Sequence, residues 1–337
     1  MELIDLLTRL SETDAPSGFE EPAAALAAEL LRPYADEITT DALGNVIAVR
    51  KCGREGAVRV LLDAHIDEIG FIVTGAQDGF LRFAALGGAD ARVLPASTLK
   101  MLTDPPIYGV VDVLPPHVQS GGDADKALKI EDLYIDAGGA EVPVGTPAVF
   151  SSAPARLGEN LFCGKALDDR ACFAAIVRAL ELSGDTKLDF DLYILASAQE
   201  EVGMRGARTA AFSIAPDFAV IADLYFGDQP DVKEHETQQL GSGAAVSHGP
   251  NMNRALTQKI IETAKKEGIP FTVDVEPGGS SGTNASVIQV ARAGAAAALI
   301  GVPTRYMHTP SEAVDLRDVD ALARLLCASL KGGVFHA

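Results

Sequence analysis

VRVLLDAHID, residues 58–67, is the stretch on which the reading of the fold turns. It is mostly apolar, which marks a strand covered on both faces and placed centrally in a sheet. Similar runs follow at intervals: NVIAVR (45–50), LDFDLYILASAQ (188–199), FAVIADLYF (218–226), FTVDV (271–275) and AAAALIGV (295–302). Between them lie stretches of helical period. Leu3, Ile4, Leu6, Leu7 and Leu10 share one face, and PAAALAAELL (22–31) opens with proline at a tolerated first-turn position. DDRACFAAIVRALEL (168–182), NRALTQKIIETAKKEG (253–268), NASVIQVARAG (284–294) and DLRDVDALARLLCASLKGG (315–333) complete the set. Strand and helix in alternation predict an α/β fold with a mainly parallel central sheet and flanking helices. Ligands in that architecture gather at the carboxyl ends of the strands.

From about residue 70 the texture changes. GFIVTG (70–75), GFLRFAAL (79–86), YGVVDV (108–113) and DLYIDAG (132–138) are short β-like pieces punctuated by Gly, Pro and Asp, with one short helix expected around 123–130. The expected organisation is therefore residues 1–68 and 162–337 as one catalytic domain, interrupted at 69–161 by a small β-rich domain. These short elements leave limited room for a core of their own, so they are expected to bury apolar surface against another subunit.

Composition narrows the function classes. The 337 residues carry 47 acidic against 28 basic side chains, a net charge of -19, which argues against binding nucleic acid or an anionic membrane through the overall field. Cys52, Cys163, Cys172 and Cys327 form no C-x-x-C pair, so a reducing compartment is the simpler reading. MELIDLLTRLSETDAPSG lacks the basic-then-apolar order of a secretory leader, and VARAGAAAALIGV is too short and Gly/Ala-rich for a membrane span. A cytoplasmic location is expected.

The titratable residues at strand ends carry the chemistry. His65 and Asp67, two apart, point to one face of an extended chain, and a carboxylate suits the second nitrogen of a metal-binding imidazole. Asp168 and Asp169 open a helix, Asp223 follows FAVIA, Glu200 and Glu201 end a strand, and His308 lies beyond AAAALIG. Taken singly these are equally core hydrogen-bond partners, helix caps or turn residues. Taken together, two imidazoles and three carboxylates with one shared suit two divalent ions about 3.5–4 Å apart. One glutamate of the 200/201 pair is then left to take a proton from an activated water. There is no dinucleotide or phosphate-loop fingerprint, and Ser281 and Ser286 lie outside any G-x-S-x-G. His117, His235, His248 and His336 have no comparable partners in the sequence.

The ordered set SGFEEP, DALGNVIA, DAHIDEIGFIV, ALGGADARVLP, LYIDAG, GKALDDR, AQEEVGMRGA and PTRYMHTPSEAVDLRD resembles the tetrahedral aminopeptidases, glutamyl-aminopeptidase-like dinuclear metallopeptidases whose members are sometimes labelled endoglucanases. The resemblance implies His65, Asp168 and Asp223 on one metal, with Asp168 bridging to a second held by Glu201 and His308. It implies Glu200 as general base, Asp67 as partner of His65, and two ions, zinc first with cobalt or manganese as alternatives. It further implies that 69–161 is a β-barrel-like or PDZ-like dimerisation domain, that dimers close into a tetrahedral dodecamer, and that the substrates are short peptides with a free N terminus. One departure stands out: GTNA places Asn284 where the family commonly has aspartate, which bears on the substrate pocket. Against this stand a glycosidase reading, for which adjacent Glu200 and Glu201 are poorly spaced, and a metal-stabilised scaffold without catalysis. With so negative a field, neutral or leucyl-type N-terminal residues are expected over acidic ones.

Overall fold

The computed structural model describes residues 1–118, 127–278 and 281–335. The strand Arg59–His65 sits inside an 11-stranded sheet, as its apolar run requires. Val60, Leu62 and Ala64 point into one core cluster, while Leu61 points into another on the opposite face. The first cluster packs the helices Leu3–Glu12, Glu21–Leu31, Leu167–Ser183, Arg254–Glu267 and Leu316–Lys331; the second packs Arg205–Ile214 and Ala285–Ile288. Burial on both faces is why this strand shows no polar alternation.

The sheet is mixed where a mainly parallel one was expected. Asp191–Ser197, Arg59–His65, Phe218–Phe226 and Ala296–Arg305 run parallel, in that order. Outside them the pairing turns antiparallel: Val46–Arg50 and Glu37–Thr40 on one flank, Glu312–Asp315, Leu161–Gly164 and Ala155–Leu157 on the other. Ala244–His248 pairs antiparallel to Ala296–Arg305 and parallel to Phe271–Val275. The parallel strands are those joined through helices, whereas short connections join only the antiparallel pairs Glu37–Thr40 with Val46–Arg50, Ala155–Leu157 with Leu161–Gly164, and Ala296–Arg305 with Glu312–Asp315. The helix expected over 284–294 stops at Ile288, and Arg292 takes a left-handed φ of 52° shortly afterwards.

After Arg59–His65 the chain leaves the sheet and closes a barrel from Gly70–Gln77, Phe80–Leu86, Ile135–Asp136, Ile107–Val111, Thr98–Met101 and Pro147–Phe150. It is back in the large sheet at Ala155–Leu157. Contrary to the expectation of little core, the barrel has one of its own. Phe71 packs edge-on against Phe83 and Phe150, at 5.5 and 5.2 Å between ring centroids, with Leu99, Met101 and Ile135 buried around them. Tyr108, Val110 and Val113 remain exposed. The short helix expected around 123–130 falls largely outside the described residues, as does His336.

An ionic seam joins barrel and sheet. Lys100, on a barrel strand, meets Asp14 at 2.6 Å, and Lys165 meets Asp14 at 3.2 Å and Glu68 at 2.7 Å. Arg170, 1% exposed, caps the carbonyls of Leu10, Thr13 and Ile66. Among the described residues no helix is long and apolar enough to cross a membrane.

Candidate metal centre

The parallel strands end at one edge, and the titratable residues meet there. His65 is the last residue of its strand, in register with Ser197, and Asp223 lies near the end of Phe218–Phe226. His65 Nδ1 is 3.2 Å from the Asp67 carbonyl oxygen, which can only accept, so Nδ1 carries the proton and Nε2 faces Asp168 Oδ1 at 3.2 Å. On the other side His308 Nδ1 is 3.0 Å from the carbonyl oxygen of Gly88 in the barrel, which leaves Nε2 facing Asp168 Oδ2 at 3.3 Å and Glu201 Oε1 at 3.1 Å. A side chain at Gly88 would not fit, since its Cβ would stand 2.9 Å from His308 Nδ1.

The donors fall into two groups. His65, Asp168 and Asp223 form one, and Asp168, Glu201 and His308 the other; within each, one ligand atom per residue lies within 4.8 Å of the rest. Asp168 belongs to both and stands between the two imidazoles. Asp169, next to it, is fully buried with neither carboxylate oxygen hydrogen-bonded, and no side chain caps the start of this helix. The capping reading of the Asp168–Asp169 pair is therefore corrected: the chain bends out of helical geometry at both residues, which frees Asp168 to face the imidazoles.

Crowding of carboxylates dominates the electrostatics. Burial pushes Asp223 well up, and Asp168 adds to it. Burial also lifts Glu200 to about 8; His65 opposes this, while Glu201, Asp67 and Asp168 reinforce it. Burial alone would lower His308, but Asp168 and Glu201 carry it up to about 11. The site thus holds positive charge tightly. Imidazole nitrogen with carboxylate oxygen is the donor mixture that zinc, cobalt and manganese accept, so the residues fit divalent ions.

Asp67 is more than a partner of His65. Its Oδ1 is 3.4 Å from His65 Nδ1 and accepts the Glu200 N–H at 3.0 Å, while Oδ2 accepts the Glu201 N–H at 3.2 Å and the Ser17 hydroxyl at 2.6 Å. Glu312 is a residue that the sequence reading missed. It is buried, and its two oxygens accept the backbone N–H groups of Asp168 and His308. A glutamate opening the short apolar strand EAVD, four residues after His308, was the available signal.

These groups open onto a cavity of about 840 Å³ that also exposes Met204, Phe226, Glu236, Asp274 and Glu276. His235, for which the sequence offers no comparable partner, is an exposed side chain on its lining. Asn284 does not line it. It lies beneath, donating from Nδ2 to Asp63 Oδ2 and Ser197 Oγ, both at 2.9 Å.

Known proteins resemble this chain over nearly its whole length. The family model described as M42 glutamyl aminopeptidase matches residues 44–325. A lysyl aminopeptidase of Pyrococcus furiosus is 37% identical over 97% of this chain and 96% of its own. A TET aminopeptidase from a marine-sediment thaumarchaeon superposes with a TM-score of 0.91 at 31% identity, covering 98% of this chain and 96% of that one. The Pyrococcus horikoshii TET1 peptidase, described as assembling into a tetrahedron or a large octahedral shell, gives 0.84 at 30% identity over 98% and 99%. A match that begins just before the strand Val46–Arg50 and ends within the helix Leu316–Lys331 takes in both donor groups, and this chain belongs to the M42 glutamyl aminopeptidase family.

Proposed function

We propose that this aminopeptidase works with two divalent ions and that Glu200 is its general base. The observation that carries the reading is Asp168 standing between two donor groups, with Glu200 on the same cavity wall. His65, Asp168 and Asp223 would hold one ion; Asp168, Glu201 and His308 the other. Such ions, zinc first with cobalt or manganese as alternatives, supply Lewis-acid polarisation of the scissile carbonyl and acidification of a water. Glu200 takes the proton of the attacking water and delivers it to the departing amine. Positive charge held at the donor groups would draw Glu200 down from about 8 towards the range where a base is ionised at neutral pH. Asp67 keeps His65 and the two glutamates in one register through its four contacts.

The substrates are short peptides with a free N terminus. The described lining of the cavity carries Glu236, Asp274 and Glu276 and neither lysine nor arginine. That supports neutral or basic N-terminal side chains over acidic ones, despite the family's name. The Pyrococcus furiosus relative is named for lysine. For assembly, we take residues 69–161 as the inserted dimerisation domain within a catalytic domain of 1–68 and 162–337. The exposed Tyr108, Val110 and Val113 support pairing through the barrel, with closure into a tetrahedral dodecamer following the TET relatives.

The test is peptidase kinetics on the purified, metal-replete protein beside Glu200→Gln, His65→Ala and the chelated enzyme, with β-glucan as a second substrate. We expect peptide turnover that disappears on chelation, returns with zinc, cobalt or manganese, and falls by about a thousandfold or more in Glu200→Gln while metal content is kept. Full turnover after complete metal removal, or glucan cleavage without peptide cleavage, sinks the reading.

A further inference from the structure

Four consecutive backbone N–H groups lead through the turn that carries the paired glutamates, and each donates to a side chain from elsewhere in the chain. Ala198 donates to Asn45 Oδ1 at 2.9 Å, Gln199 to Glu20 Oε1 at 3.1 Å, Glu200 to Asp67 Oδ1 at 3.0 Å and Glu201 to Asp67 Oδ2 at 3.2 Å. The strand Asp191–Ser197 has just ended, so no sheet partner takes these donors. Side chains replace the ladder.

Within this row Gln199 is the strained step. Its φ is +56°, a left-handed conformation that is strained for a residue with a side chain and persists only where the surroundings hold it. Its carbonyl accepts the Arg205 N–H at 3.1 Å, and on the N–H side what holds it is Glu20. That side chain is buried at 4% exposure, and its Oε1 also accepts the Gly18 N–H at 2.7 Å, so the carboxylate is itself anchored on its own turn. Ser17, three residues earlier, binds Asp67 at 2.6 Å. The short stretch from Ser17 to Glu20 therefore grips the glutamate turn at two adjacent points, one directly and one through Asp67. At the far end of the turn Asn45 Nδ2 donates to the Gly206 carbonyl at 3.0 Å, which closes the brace.

We propose that Glu20 is a positioning residue for Glu200: by holding the Gln199 N–H it fixes the left-handed step from which Glu200 enters the cavity. The proposal rests on reading Glu200 as the general base. Without an acceptor at position 20 the Gln199 N–H is left unpaired, and residue 199 relieves both that and its strain by leaving the left-handed region. Such a move turns the peptide plane that precedes Glu200. A displacement of about 1 Å at a catalytic group costs up to about a hundredfold in rate, and it does so without changing how substrate binds.

The experiment compares Glu20→Ala, Glu20→Gln and Glu200→Gln with the wild type in the metal-loaded enzyme, reading kcat and KM separately and hydrogen exchange over residues 196–206. Gln keeps an oxygen that accepts both N–H groups; Ala does not. We expect Glu20→Ala to lower kcat about 10- to 100-fold with KM within about threefold, and to speed exchange in that segment, while Glu20→Gln recovers kcat to within about threefold of wild type. Should Glu20→Ala fail to fold, Glu20→Asp replaces it under the same criteria, because it keeps the charge and loses the reach. A truncated variant with undiminished kcat, a loss confined to KM, or a Gln variant as impaired as the Ala variant overturns the proposal. Undiminished turnover in Glu200→Gln overturns the reading beneath it instead, and so the two failures are told apart.

Discussion

His308 donates its backbone N–H to Glu312 Oε1 at 2.8 Å, while the other oxygen of the same carboxylate takes the backbone N–H of Asp168 at 3.0 Å. One buried group therefore sets the distance between a loop and a helix start that each carry a proposed ligand. Glutamine at 312 has a single accepting oxygen and turns an amide N–H₂ towards the second backbone donor. Glu312→Gln is expected to weaken metal binding about 10- to 100-fold, the range typical of residues that orient ligands. Titration of the metal-free protein with zinc or cobalt measures it, and unchanged affinity overturns the assignment.

Gly88 tests the contribution of the barrel to the centre. Alanine there brings Cβ to 2.9 Å from His308 Nδ1, so the ring or the loop must move and the 3.0 Å contact with the Gly88 carbonyl is lost. At Gly75, in the same barrel, a Cβ would meet nothing within 4 Å, which makes Gly75→Ala the control. Gly88→Ala should lose about tenfold or more in kcat/KM with an unaltered circular dichroism spectrum, and Gly75→Ala should retain wild-type activity. Equal behaviour of the two variants counts against the role of Gly88.

The ionic seam predicts a pH dependence of stability. Burial alone would raise the Asp14 carboxyl, but Lys165 and Lys100 outweigh it and hold it below its ordinary 3.8. A folded value below the unfolded one means that ionised Asp14 stabilises the fold above pH 3.8, and that this contribution disappears as pH falls through the folded value. Asp14→Asn should therefore cost about 1–3 kcal/mol at neutral pH and converge on wild type in acid. Denaturant unfolding at several pH values checks it; a difference that persists or grows in acid contradicts the sign.

Substrate preference follows from the cavity wall. Glu236, Asp274 and Glu276 face the substrate space without a lysine or arginine among the described lining residues. A panel of aminoacyl substrates should show lysyl, arginyl and leucyl derivatives cleaved well ahead of glutamyl and aspartyl ones, and acetylated N termini resisting cleavage. Efficient turnover chiefly after glutamate reverses the prediction.

Much of this architecture was legible from local pattern. The uninterrupted run before His65 announced a strand buried on both faces, and FAVIADLYF coincides with Phe218–Phe226. His65, Asp168, Glu201, Asp223 and His308 converge because each stands in the last part of a strand or just beyond one that leads to the same sheet edge. What stayed hidden depends on contacts distant in sequence. Glu37–Thr40 and Glu312–Asp315 are too short to signal themselves and are strands by virtue of their partners. The helix Arg205–Ile214 escaped because its buried face, Gly206, Ala207, Ala210, Ala211 and Ile214, keeps the helical period with alanine and glycine in place of large apolar side chains. Glu20 and Glu312 carry no mark in the sequence, since nothing near them reveals that backbone donors they satisfy come from elsewhere in the chain. Asn284, expected to bear on the substrate pocket, lies beneath the cavity, tied to Asp63 and Ser197.

The carbonyl oxygen of Gly88 has a consequence for modularity. A chain shorn of its barrel, with the two ends of the sheet domain spliced together, would keep every side chain proposed to hold a metal. It would still lack the acceptor that decides which ring nitrogen of His308 is left with a free lone pair. The insertion is thus not an interchangeable accessory. A barrel transplanted from a relative must deliver that one backbone oxygen to the same place, and chimeras that fold well yet miss it are expected to be silent.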